Sequence, residues 1–177
     1  MVKRTNSKMN LGFTLMEALV YTAVLCVIMT VIISFLFWAM RSNNKSGAMR
    51  EVLDNVQKIT DVMSYEIKEA KGIYDPTTTS TQLSLETVKY LSDGEESSYI
   101  DFYSASSTVF LKKESQPPIA LNTDKVELKN LVFTIISATD TYPSVRINLS
   151  LSYKNPNNRQ DLAAELAVTT TVSMRNY

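Results

Sequence analysis

Residues 12–17, Gly-Phe-Thr-Leu-Met-Glu, join a short leader to the uncharged run ALVYTAVLCVIMTVIISFLFWAM at residues 18–40. The leader, residues 1–12, carries Lys3, Arg4 and Lys8 and no acid, and after Glu17 the next charge is Arg41. As a helix rising about 1.5 Å per residue, residues 18–40 span roughly 34 Å, enough to cross a hydrocarbon core of about 30 Å. A secretory signal has a shorter apolar core and small residues at its cut site. Here Phe35, Leu36, Phe37, Trp38, Ala39, Met40 and Arg41 follow the core. The run therefore reads as a lasting anchor, with Trp38 at the membrane interface. The leader cations favour a cytoplasmic N-terminus and an external head, although Arg41 and Lys45 keep the asymmetry modest.

Beyond Arg41 the pattern stays helical and becomes amphipathic. Met49, Val52, Val56, Ile59, Met63, Ile67 and Ala70 recur every three or four residues as one apolar face. Arg50, Glu51, Asp54, Asn55, Lys58, Asp61 and Lys68 fill most of the rest. Residues 42–47, Ser-Asn-Asn-Lys-Ser-Gly, are poor helix formers and predict a kink or hinge. Lys71-Gly72 reads as a basic last turn with a C-cap glycine.

From Tyr74 onward turns and alternation take over. Residues 75–81 read as a loop, 82–85 and 88–91 as short strands, and 92–97 as a turn-rich link. Residues 99–103 and 108–112 flank Ser-Ala-Ser-Ser as a hairpin, and 126–136 hold one or two strands. In 145–153, Val145, Ile147, Leu149, Leu151 and Tyr153 alternate with Arg146, Asn148, Ser150 and Ser152. Residues 155–159 form a turn, and Leu166, Val168, Thr170, Val172 and Met174 alternate through a last strand. The expected class is α+β: a long N-terminal helix whose outer half packs on a mostly antiparallel sheet.

The order of basic leader, Gly12, Phe13, Glu17 four residues later, and a long apolar helix resembles the type IV prepilin signal. The resemblance implies the type IV pilin fold, with a cleavable leader (1–12), a transmembrane and filament-core helix (13–40), its amphipathic continuation (41–72) and a β-rich head (73–177). It also implies that a membrane prepilin peptidase cuts between Gly12 and Phe13 and methylates the new amine of Phe13. Glu17 lies four residues after Phe13, on the same helix face. An acid at the membrane edge is costly unless paired, whereas a first-turn acid also gains about 0.3–1 kcal/mol from the helix dipole. From these residues alone both readings stand. The resemblance implies the first, with Glu17 pairing with a neighbouring subunit's amine during assembly.

Later runs extend the likeness. Residues 64–71 (SYEIKEAK), 99–103 (YIDFY), 128–133 (LKNLVF), 145–149 (VRINL) and 169–176 (TTTVSMRN) occur in an order similar to J-type and W-type minor pilins and pseudopilins. Only four glycines in 177 residues also fit a minor subunit. Such a subunit initiates or caps an envelope filament. Its partners are other major or minor pilins or pseudopilins, the prepilin peptidase, an inner-membrane assembly platform and membrane lipid. The alternative is an uncleaved, single-pass anchored binding or sensor domain.

Composition narrows the chemistry. Without its leader the chain has 165 residues and a formal charge of −3, which offers no electrostatic footprint for nucleic acid, so direct nucleic-acid binding is not expected. There is no histidine, which excludes His-based acid–base catalysis, Ser-His and Cys-His nucleophiles and imidazole metal ligands; no enzyme activity and no cofactor are expected. Cys26, the single cysteine, lies in the apolar run as a small packing residue, so the C-terminal disulfide of many pilins has no counterpart within this chain. Asp93, Glu95 and Glu96 around Gly94 are faint calcium candidates beside the ordinary reading of a solvated turn, and Asp124 and Glu127 follow later. Asn44-Lys-Ser and Asn148-Leu-Ser match glycosylation acceptors by chance. No Gly-rich phosphate loop is present, and most of the tyrosines sit at strand positions, where packing explains them.

Overall fold

The computed structural model describes residues 13–91, 94–114, 116–136 and 143–175. One helix, α1 (Leu15–Glu69), is followed by antiparallel strands, a broadly α+β layout. The chain falls into two compact units, Met1–Ser42 and Asn43–Tyr177.

Thr14 starts α1. Its Oγ1 accepts from the Glu17 backbone N–H at 3.3 Å, the bond of an N-cap threonine to the third helical residue. Residues 42–47, where a kink or hinge is expected, are helical and lie within α1. Poor helix formers cost a few tenths of a kcal/mol each, and a helix already formed on both sides pays no second nucleation cost. The far end also differs from expectation. The helix stops at Glu69, and Gly72 opens the short strand β1 (Gly72–Ile73) instead of capping. Among the described glycines only Gly94 has positive φ, so Gly72 lacks the left-handed conformation of a C-cap.

Ala48, Val52, Val56, Ile59, Met63 and Ile67 of α1 form a core with both sheets of the second unit. Met49, placed on the apolar face by its spacing, is 41% exposed, while Ala48 is buried. Both lie one turn before Val52, and periodicity does not distinguish three residues back from four. Asn55, assigned to the polar face, is buried too. Its Oδ1 accepts from the Thr123 backbone N–H at 2.8 Å, and its Nδ2 donates to the Glu51 carbonyl at 2.7 Å. Among the described residues no buried side-chain nitrogen or oxygen lacks a partner.

The head has two antiparallel sheets where one was expected. The first runs in the order β1, β2 (Gln82–Thr87), β3 (Ser98–Ala105), β4 (Thr108–Lys113), β5 (Ile119–Ala120); the second is β6 (Val126–Ile136), β7 (Ser144–Tyr153), β8 (Glu165–Ser173). The sheets meet where Leu128 N–H donates to the Ser107 carbonyl and Phe133 N–H to the Ser80 carbonyl, both at 2.8 Å. The β3–β4 hairpin is as expected, and Ser106 and Ser107 turn at φ 49° and 61°, as a two-residue type I′ turn requires. Residues 126–136 are one strand, with a bulge between Leu128 and Asn130. The extra residue shifts the side-chain alternation, so Val126 before it and Leu131 and Phe133 after it all face the core. β7 buries Val145, Ile147, Leu149 and Leu151 in the alternation expected.

Residues 88–91 are not a strand. Tyr90 sits at φ 63°, a left-handed conformation unusual for a non-glycine residue, and its hydroxyl donates to Glu66 Oε1 at 3.4 Å. The contact to α1 redirects a segment whose apolar residues read as extended.

Candidate functional site

The first unit carries α1 as a bare apolar surface. Every residue from 13 to 38 is exposed, and the helix is long and apolar enough to cross a membrane. Its hydroxyls are satisfied within the helix: Thr22 donates to the Ala18 carbonyl, Thr30 to Cys26 and Ser34 to Thr30, each at 2.8 Å. In hydrocarbon no water replaces a missing partner, so this back-bonding suits these side chains to lipid or to other helices. Trp38 is exposed near the end of the run, with the Phe35 ring 6.0 Å away.

Glu17 is the one charge between residues 13 and 40. Its Oε1 accepts from the Tyr21 hydroxyl at 2.9 Å, and among the described residues Oε2 has no partner. The Tyr21 ring lies edge-on to Phe13, centroids 5.6 Å apart and planes at 62°. Glu17 and Tyr21 thus share one helix face at four-residue spacing, and the ring of Phe13, just before the helix, meets that of Tyr21. Sequence reading reached Phe13 and Glu17 but missed Tyr21; the signal was a hydroxyl four residues beyond a lone acid. Thr14 was missed as well, though Thr-x-x-Glu before an apolar run marks a capping box. Gly12 lies outside the described residues.

In the second unit ionisable side chains gather near the C-terminal end of α1. Glu66 Oε1 lies 3.3 Å from Lys113 Nζ, with side chains only 6% and 16% exposed. The Lys113 ammonium stands 3.7 Å from the centroid of the Tyr90 ring. Burial works against the Lys113 charge, but the Tyr90 hydroxyl and the Glu66 carboxylate outweigh it and hold its pKa above the ordinary lysine value. Nearby, Glu69 takes Lys89 at 2.7 Å and Arg175 at 3.4 Å, and Lys71 pairs with Glu86 at 2.6 Å. The acids and bases here neutralise one another.

Of the calcium candidates, Glu95 and Glu96 are exposed, and Asp93 lies outside the described residues. Among the described residues no group of three or more acids or cysteines is placed to hold a metal ion. Glu127 is engaged by Lys129 at 2.7 Å and Ser152 at 3.3 Å. These residues line a groove of about 290 Å³ with Asn155 and Glu165, just below the size of ordinary small-molecule sites. Both asparagines of the acceptor-like motifs are engaged, Asn44 with Asp161 and Asn148 with Thr169. No family model, curated protein or solved structure matches this chain.

Proposed function

We propose that the chain is a minor type IV pilin or a type II secretion pseudopilin, a structural subunit with the type IV pilin fold and not an enzyme. It is made as a prepilin, cut between Gly12 and Phe13, held in the cytoplasmic membrane with its head outside, and drawn from there into an envelope filament that it initiates or caps. The reading rests on one observation above all: an exposed apolar stretch, residues 13–38, whose one charge, Glu17, sits one turn before Tyr21 at the helix start, where the Phe13 ring meets that of Tyr21. An apolar helix with no cover of its own needs lipid or other helices around it. A carboxylate at its edge needs a cation, and the amine released at Phe13 on a neighbouring subunit supplies one. Packing of such helices and mutual neutralisation of Glu17 and the amine then hold the subunit in the filament core.

The test is intact mass and N-terminal sequencing of the protein from membranes, with and without the cell's prepilin peptidase. A peptidase-dependent start at N-methylated Phe13 is the expected result. An uncut Met1 start in the presence of active peptidase overturns the filament reading in favour of a permanently anchored binding or sensor domain.

A further inference from the structure

The bond from Tyr21 to Glu17 has a chemical consequence for assembly. A glutamate on an exposed helix has freely turning side-chain torsions, and ordering them costs entropy. The Tyr21 hydroxyl donates to Oε1 at 2.9 Å, which selects one carboxylate orientation and leaves Oε2 without a partner among the described residues. The Phe13 ring, 5.6 Å from the Tyr21 ring, limits the swing of the phenol in turn. An ionised carboxylate has about four lone-pair sites, so it keeps the phenol and still accepts a cationic N–H on its other oxygen. A hydrogen bond to a charged group in a low-dielectric surrounding is also among the stronger kinds.

We propose that Tyr21 is a positioning residue for Glu17: its hydroxyl holds Oε1 and presents Oε2 to the incoming subunit's amine. The inference rests on the filament reading for the identity of that amine, but the Tyr21–Glu17 bond itself is present in the single chain without any partner. Tyr21 is the one hydroxyl in the apolar run that donates to a side chain; Thr22, Thr30 and Ser34 are all spent on helix carbonyls.

Two measurements on the full-length chain test it. The first is the Raman doublet of an unlabelled tyrosine at position 21 in a chain whose other tyrosines are ring-deuterated, recorded in lipid vesicles for the wild type and for Glu17→Ala, which removes the acceptor. The band ratio of a strong hydrogen-bond donor is expected in the wild type and its loss in the variant; an unchanged ratio refutes the bond whether or not a filament forms. The second is filament incorporation of Tyr21→Phe in the wild-type and Glu17→Gln backgrounds. Leader cleavage is expected to be unaffected, with incorporation falling about tenfold when Glu17 is present and no further fall in Glu17→Gln. An equal fall in both backgrounds assigns Tyr21 to packing alone and overturns the proposal. Failure of the filament reading has its own sign, an uncut Met1 start, while the Raman result still decides the bond.

Discussion

Replacing Glu66 or Lys113 tests how the head holds α1. Their charged atoms lie 3.3 Å apart with little solvent access, so Coulomb attraction at an effective dielectric of 20 amounts to about 5 kcal/mol before any desolvation is subtracted. Desolvating both ions consumes most of that gain, so the pair adds little net stability, yet either member alone is expensive. Breaking a fully buried pair costs about 3–5 kcal/mol. Here Lys113 keeps the Tyr90 ring at 3.7 Å and some water, which lowers the expected cost of Glu66→Gln or Lys113→Met to about 2–4 kcal/mol. The double variant removes both charges and should fall within about 1.5 kcal/mol of wild type, giving a coupling of about 2 kcal/mol or more. Urea unfolding of the full chain in detergent, followed by tyrosine near-ultraviolet circular dichroism, reports mainly the second unit, which holds eight of the nine tyrosines; Trp38 lies in the first with Tyr21. Single variants that each cost under about 0.5 kcal/mol, or a double variant equal to their sum, would refute a coupled buried pair.

Three further outcomes are expected. Asn55→Ala strands the Thr123 N–H; losing a partner costs about 1–3 kcal/mol and better helix propensity returns about 0.5, so the same assay should show a net loss, and an unchanged unfolding midpoint would contradict the clamp. Acid should weaken the head. Glu86 is held below its ordinary 4.5, first by the Lys71 hydrogen bond and then by Ser97, and Asp161 is lowered from 3.8 to about 2 by Arg159 and then Asn44. Folded values below unfolded ones mean that this stability is complete above the unfolded values and is lost as pH falls from 4.5 to about 2. Because these pairs are exposed the effect is small; thermal melts at stepped pH should show the slope flattened in Lys71→Met with Arg159→Gln, and an equal slope in that variant would refute its origin. Finally, Glu17→Ala should still be cut at Phe13 yet enter filaments poorly, and normal incorporation would sink the charge-pairing step.

Much of the candidate site lay within one stretch of chain. Glu17 and Tyr21 meet because a helix brings every fourth residue to one side, so even the missed tyrosine was legible in principle, and Phe13 joins them from just before the helix. The head charges were not: Glu66, Tyr90 and Lys113 come from three separate segments, joined only when α1 packs against the sheets.

The same division holds for the fold. Sequence alone determined the apolar helix, its amphipathic continuation, the β3–β4 hairpin and the alternation of β7, since each depends on local periodicity or turn chemistry. Tertiary structure decided what local patterns leave degenerate. It chose Ala48 over Met49 for the core, buried Asn55 by giving Thr123 N–H a partner, and split the strands into two sheets with a bulge in β6. It also bent residues 88–91 out of strand geometry so that Tyr90 reaches Glu66. Each of these outcomes turns on distant atoms competing for the same buried space or the same hydrogen bond, and no window of neighbouring residues contains both competitors.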